Sequence, residues 1–371
     1  VNTAGMINTT SNSRMLWAAA TMAGCAACRD ARLTISLAPP GMLEKNAVAR
    51  SVPLRSRMKI PIRLSNRVPS APARITPKCS TTRASLMTGV DHHLAGYADV
   101  VHFDPGYPNY RNELGVAPTI SERLRDEGYS TLMVGKWHLA REAHMAVDSP
   151  RRNWPLQNGF DEFYGILDGF RSLHEPHQLV DGNSIKHVDE FPDGYYLTDD
   201  LTEQALQMLR DRHLGEQSRP FFLYFAHAAV HFPLEAKESD IEQQRGRYAM
   251  GWDRARLDRF ERQKLMNIVT PETRLPSGEE DGYDLPKWDS LTSEQQLVFA
   301  RYMEVYAAMV EHCDDMVGRI VDTVEAEGLT GKTMIVFTSD NGGLYRRYDY
   351  RERADDNVTS LAPLKGEKGA L

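Results

Sequence analysis

Three short polar sets carry the residues that could do chemistry. Gly135-Lys136-Trp137-His138 follows an apolar run from Tyr129 to Val134. His227 and then His231-Phe232-Pro233 follow Phe221 to Ala226, and Asp340-Asn341-Gly342-Gly343 follows Met334 to Ser339. A Lys/His pair can grip an oxyanion, a histidine can carry a proton near neutral pH, and Asp and Asn oxygens suit a hard cation such as Ca²⁺ or Mg²⁺. Taken singly, each set has an ordinary explanation. Lys-x-His is commonly a solvated loop, a lone His after a strand is commonly a hydrogen-bonded structural residue, and Asp-Asn-Gly-Gly is a turn signal. What joins the sets is their placement, each just past the end of a strand-like run. Asp91-His92-His93 has no such placement and reads as loop. Cys25 and Cys28 form a lone CxxC with no second pair, which is weak evidence for metal.

The elements that must position these sets are helices alternating with strands. Phe221–Ala226 (FFLYFA) is apolar throughout and suits a strand buried on both faces. Thr119 with Glu122, and Thr292 with Gln295, are capping boxes that predict helix starts. After Thr292, apolar residues recur at Tyr306, Met309, Val310, Cys313, Met316, Val317, Ile320, Val321 and Val324, which is helical spacing. Cys313 lies on that stripe and reads as inert core. Alternation of this kind predicts a mostly parallel sheet with helices on both faces. In such sheets ligands bind beyond the carboxyl ends of the strands.

Composition bounds the class. The 371 residues are 41% hydrophobic and 26% charged, with a net charge of -7 and four cysteines. That profile suits an α/β globular protein and excludes a disulfide-stapled scaffold, a transmembrane span and a nucleic-acid binder working through bulk positive charge. The charge is uneven. Residues 1–78 hold 12 Lys+Arg against two acids, Asp30 and Glu44, whereas the remainder is strongly acidic. The first segment lacks sustained periodicity. Leu33–Pro39 could form one short strand, and Met15–Cys25, with Arg14 upstream, has the outline of an export signal ending in a lipoprotein-like Met22-Ala23-Gly24-Cys25 box. The alternative is a frame slip in GC-rich DNA. The expected organisation is therefore an aberrant or signal-like segment over 1–78 and an α/β domain over 79–371. The compartment is periplasmic or extracellular if the signal is real, and cytoplasmic otherwise.

Cys79-Ser80-Thr81-Thr82-Arg83, followed by Leu86-Met87-Thr88-Gly89, resembles the Cys-x-Pro-x-Arg and Leu-x-Thr-Gly elements of type I sulfatases. GYSTLMVGKWHLA (Gly128–Ala140) is similar to their second motif. GFDEFYG (Gly159–Gly165), YLTDDLTEQAL (Tyr196–Leu206), FLYFAHAAVHFPLEA (Phe222–Ala236), FTSDNGG (Phe337–Gly343) and LKGEKGAL (Leu364–Leu371) continue the match in order. GVDHHLAGY is similar to the bacterial arylsulfatase branch.

The resemblance implies the alkaline-phosphatase-like α/β fold and cleavage of small-molecule or glycan sulfate esters. It implies a formylglycine made from Cys79 by a formylglycine-generating enzyme, whose hydrate attacks sulfur. Arg83 would hold that hydrate, and Lys136 and His138 would neutralise the diol and sulfate oxygens, with His138 as base. His231 would serve the leaving oxygen and Lys368 would grip the sulfate. Asp340 and Asn341, with modified Cys79, would ligate one Ca²⁺. The loop Leu173–Asp193 would select the substrate.

Two departures weaken this expectation. Thr81 stands where the family has Pro, which the modifying enzyme reads. The family's paired Asp-Asp at the end of a first strand is missing upstream of Cys79, leaving the Ca²⁺ cage and the sheet short of a member, with the smaller C-terminal domain expected beyond Leu371. The alternatives are a phosphonate monoester or phosphodiester hydrolase of the same superfamily, or a non-catalytic remnant.

Overall fold

A computed structural model describes residues 78–169, 171–213, 219–275 and 286–342, together with the backbone of 14–19. Seven strands form one sheet: β1 (Arg14–Ala19), β2 (Ser130–Lys136), β3 (Glu162–Ile166), β4 (Val180–Asp181), β5 (Ser184–Ile185), β6 (Phe221–Ala226) and β7 (Thr333–Thr338). Their spatial order is β5-β4-β3-β2-β6-β1-β7. The pairings of β1, β2, β3, β6 and β7 are parallel, and only the short β4 and β5 run antiparallel at one edge.

Every residue of β2 and β6 is buried, as expected for strands covered on both faces. Alternate residues divide between two cores. Leu132, Val134, Phe221, Leu223 and Phe225 face α3 (Leu197–His213) and α6 (Ser293–Ala326). Met133, Phe222, Tyr224 and Ala226 face α1 (Cys79–Thr88) and α2 (Ile120–Asp126), where Trp137, Trp154 and Phe160 complete the packing. A third cluster joins Trp252 of α5 (Gly251–Leu265) to Trp288 and to Phe299 of α6. Both capping boxes form: Thr119 accepts from the Glu122 N–H at 3.1 Å, and Thr292 from the Gln295 N–H at 3.2 Å. Among the described residues no helix is long and apolar enough to cross a membrane.

One element differs from expectation. The pattern at Met15–Cys25 points to an export signal and leaves the sheet without a first strand. The backbone of Arg14–Ala19 instead lies between β6 and β7, with Ala19 opposite both Ala226 and Thr338. A short apolar run ending in small residues suits a central parallel strand as well as a signal core, and periodicity does not separate them. The lipoprotein-like box at Met22–Cys25, the Cys25/Cys28 pair and the strand expected at Leu33–Pro39 lie outside the described residues.

The register puts Gly135, Ala226, Ala19 and Thr338 in one row. Gly135 has φ 110°, and a Cβ there would sit 1.9 Å from the Ala226 carbonyl oxygen. Gly128 also has positive φ, but nothing lies within 4 Å of its missing Cβ. Gly135→Ala is therefore expected to cost several kcal/mol through backbone displacement, against about 1–2 kcal/mol for Gly128→Ala. Urea denaturation of the two variants checks this, and equal losses would contradict the close approach.

His227, the first residue after β6, is fully buried beside Phe225, with ring centroids 4.2 Å apart. Burial, and then the charge on His312, lowers its pKa from 6.5 to about 3. The unfolded chain therefore takes up this proton first as pH falls, so the contribution is intact above pH 6.5 and declines from there towards pH 3. The expected result is a urea midpoint that drops with pH over this window in the native chain and drops less in His227→Gln. An equally steep profile in the variant would assign the loss to other groups.

Candidate active site

Each polar set begins where its strand ends. Lys136 closes β2 and His138 follows two residues later, His227 follows β6, and Ser339-Asp340-Asn341 follows β7. The parallel register aligns these ends, and α1 closes the same edge from one face.

Cys79 is the first residue of α1, so the positive end of that helix lies at its side chain. Thr81 closes the helix start, its hydroxyl donating to the Lys78 carbonyl at 2.9 Å and accepting from the Lys78 N–H at 3.3 Å. At the other end Gly89 takes φ 70°, and its N–H donates to the Ser85 carbonyl at 2.8 Å. A neighbouring loop clamps the start of the helix: the Val101 N–H donates to Ser80 Oγ at 3.0 Å, and Lys78 Nζ pairs with Asp99 at 2.6 Å.

The Cys79 thiol donates to Asn341 Oδ1 at 3.1 Å, a contact between residues 262 apart in the chain. One turn along α1, Arg83 is fully buried. Its Nε donates to Asp340 Oδ2 at 2.9 Å, and its Nη1 donates to the Lys136 carbonyl at 2.5 Å and to the Tyr224 hydroxyl at 3.2 Å. Burial opposes the Arg83 charge, but Tyr224, Asp340 and Cys79 outweigh it, and its pKa lies above the ordinary value. Burial raises the Tyr224 pKa, so the phenol keeps its proton. Tyr224 is a site residue that the sequence did not single out, because it sits inside an apolar strand.

Lys136 is fully buried and His138 is 3% exposed. His138 has φ 56°, a conformation uncommon outside glycine and often found where a side chain must be aimed. The turn holding it is pinned by Trp137 Nε1 donating to the Asn153 carbonyl at 2.7 Å and by the Tyr97 hydroxyl donating to the Leu139 carbonyl at 2.9 Å. Gly169 packs against this ring so closely that a Cβ there would lie 2.4 Å from His138 Nε2. His231 is half-buried five residues past β6, and its Nδ1 lies 2.9 Å from the neighbouring Phe232 carbonyl oxygen. Lys368 lies outside the described residues.

Arg83 and Lys136 place two buried cations here, and Asp340 is the one buried carboxylate at this end among the described residues. Buried cationic side chains of this kind suit an anion such as sulfate. A calcium site is a different matter. Ca²⁺ takes six to eight oxygen ligands, commonly from several carboxylates. Here Asp340 is paired with Arg83, Asn341 accepts from Cys79, and β1 ends in Ala18-Ala19 with no carboxylate. The described donors therefore do not fit Ca²⁺.

Comparison with known proteins agrees with the fold. The Sulfatase family model matches residues 71–363. An uncharacterized sulfatase of Schizosaccharomyces pombe is 34% identical over 294 residues, covering 71% of this chain and 49% of that protein. An arylsulfatase of Klebsiella aerogenes is 28% identical over 282 residues, covering 72% of this chain and 57% of that enzyme. The crystal structure of Ps i-CgsB in complex with k-i-k-neocarrahexaose superposes with a TM-score of 0.50 at 25% identity, over 80% of this chain and 52% of that one. The chain thus spans about half the length of the curated relatives it matches. With its family match covering most of the chain and its motifs drawn to one edge of an alkaline-phosphatase-like sheet, this protein belongs to the sulfatase family.

Proposed function

We propose that this chain carries the hydrolytic site of a sulfuric ester hydrolase, with Cys79 as the position of the nucleophile. The observation that supports it most strongly is the pair of contacts Cys79–Asn341 and Arg83–Asp340, which joins the Cys-x-x-x-Arg turn to the Asp-Asn turn beside buried Lys136. As formylglycine, residue 79 would supply a hydrated aldehyde oxygen as the attacking group. Arg83 holds the site's geometry, since its guanidinium spans Asp340, the Lys136 carbonyl and Tyr224. Lys136 brings fixed positive charge to where sulfate oxygens would sit, and in a site shielded from water such charge acts strongly. His138, whose turn has a left-handed backbone, is the imidazole we assign to proton transfer. Asp340 and Asn341, expected with modified Cys79 to hold Ca²⁺, meet Arg83 and the Cys79 thiol instead, and the described donors do not complete the shell of that ion. The substrate class is a small-molecule or glycan sulfate ester, in keeping with the arylsulfatase relative.

Thr81 is the third residue of α1, within the first turn, where proline is tolerated because its N–H has no intrahelical partner to lose. Thr81→Pro is therefore expected to fold and, coexpressed with a formylglycine-generating enzyme, to show a higher fraction of converted Cys79 than the native chain. Peptide mass spectrometry reads this directly. Equal conversion in both proteins would show that residue 81 does not limit the modification.

Converted protein is expected to hydrolyse p-nitrophenyl sulfate, with turnover abolished in Cys79→Ala and reduced about 10²-fold or more in Lys136→Ala. Faster cleavage of a phosphonate monoester than of the sulfate ester would favour that chemistry instead. Full conversion with no ester turnover would defeat the hydrolase assignment.

A further inference from the structure

His138 also packs against His102 and against Gly169 in the turn after β3. The His102 ring lies 5.3 Å from the His138 ring, centroid to centroid. His102 Nε2 is 2.9 Å from Asp168 Oδ1, while Arg171 Nη2 holds Asp168 Oδ2 at 2.5 Å. One ligand atom from each of His102, His138 and Asp168 falls within 4.8 Å of the other two. The three residues come from different segments: a loop clamped to α1, the turn after β2 and the turn after β3.

We propose that His102, His138 and Asp168 form a binding site for a borderline-soft divalent metal ion of the Zn²⁺ class, separate from the Asp340–Asn341 turn. Two imidazole nitrogens and one carboxylate oxygen are the donor set such ions prefer, and hard Ca²⁺ or Mg²⁺ do not. The spacing is within reach. Ligands at ~2.0–2.1 Å in a tetrahedral shell stand about 3.3 Å apart, so a small rotation of one ring closes the set. The His102 side chain is 30% exposed, so it can make that rotation and give an ion a path in from solvent. The support around the ligands is also present. Arg171 and the Gly169 N–H orient the Asp168 carboxylate. Gly169 lets the chain pass against the His138 ring, where a side chain would cover Nε2.

The ion would occupy a lone pair of His138. If His138 also moves a proton in the proposed hydrolysis, zinc would inhibit the enzyme, and that consequence alone rests on the proposed function. Binding does not, and it is read without catalysis. Co²⁺ added to the whole chain is expected to give visible ligand-field bands that one equivalent of Zn²⁺ removes and that excess Ca²⁺ does not. The apparent Co²⁺ affinity should fall at least tenfold in His102→Ala and in Asp168→Asn, with native circular dichroism, and stay unchanged in His93→Ala, which alters the unrelated Asp91-His92-His93 turn. Absence of bands in the native chain, or bands unaffected by both variants, would overturn the site. Should the variants not fold, zinc-edge X-ray absorption of the native chain and of His93→Ala decides: two imidazoles in the first shell of both uphold the site, and a shell without imidazole, or one that loses an imidazole in His93→Ala, rejects it.

Discussion

A buried ion pair holds the active edge together. Arg83 and Asp340 have side-chain exposures of 0% and 2%, and their 2.9 Å contact links a helix that begins at Cys79 to the turn that follows β7. Such a pair is a doubtful source of net stability, because desolvating both charges offsets most of their attraction. Its effect on geometry is clearer. With either partner removed, the other is stranded at a cost of about 3–5 kcal/mol, so the fold tolerates only arrangements in which α1 and the Asp-Asn turn meet. Arg83 adds two further constraints through one nitrogen, to the carbonyl of Lys136 and to the Tyr224 hydroxyl. A lysine could keep the charge but not this fork, because it lacks the planar set of donors.

The sheet makes that meeting possible. Parallel pairing with aligned register brings the ends of β2, β6, β1 and β7 to one row, so that residues far apart in the chain leave the sheet together. Close approach at this row depends on missing side chains. Gly135 passes the Ala226 carbonyl, and a Cβ on Gly165 would lie 2.0 Å from the Gly135 carbonyl oxygen. Large apolar residues then fill both faces, so the polar groups at the row are backed by a rigid core.

Much of this was legible in the sequence, and the parts that were not share a cause. FFLYFA announced a strand buried on both faces, and the capping boxes at Thr119 and Thr292 marked helix starts to the residue, because these signals are local. The expectation that Lys136, His138, His227 and Asp340 gather at one edge came from the rule that ligands bind beyond the carboxyl ends of parallel strands, and the register sets the strands they follow side by side. Tyr224 was hidden because its role is set by the Arg83 that meets it from another element, 141 residues away. His102 and Asp168 were hidden likewise, since their pairing joins segments that no periodicity connects. Arg14–Ala19 was misplaced because one arginine and five apolar or small residues carry no mark of the partners beside which they pair.

The charge balance at the row decides which ligand the described residues favour. Asp340 is the carboxylate an incoming cation would seek, yet it already pairs with Arg83, and Lys136 is buried nearby. A divalent cation approaching Asp340 must compete with the Arg83 guanidinium for that carboxylate. A sulfate group meets the reverse: fixed cations, the start of a helix, and donors that are already oriented. Calcium would become competitive only if carboxylates from elsewhere in the protein reversed that balance, as the family's paired acids at the end of the first strand would. The strand in that position here ends in alanine, so it brings no carboxylate to the Asp340–Asn341 turn.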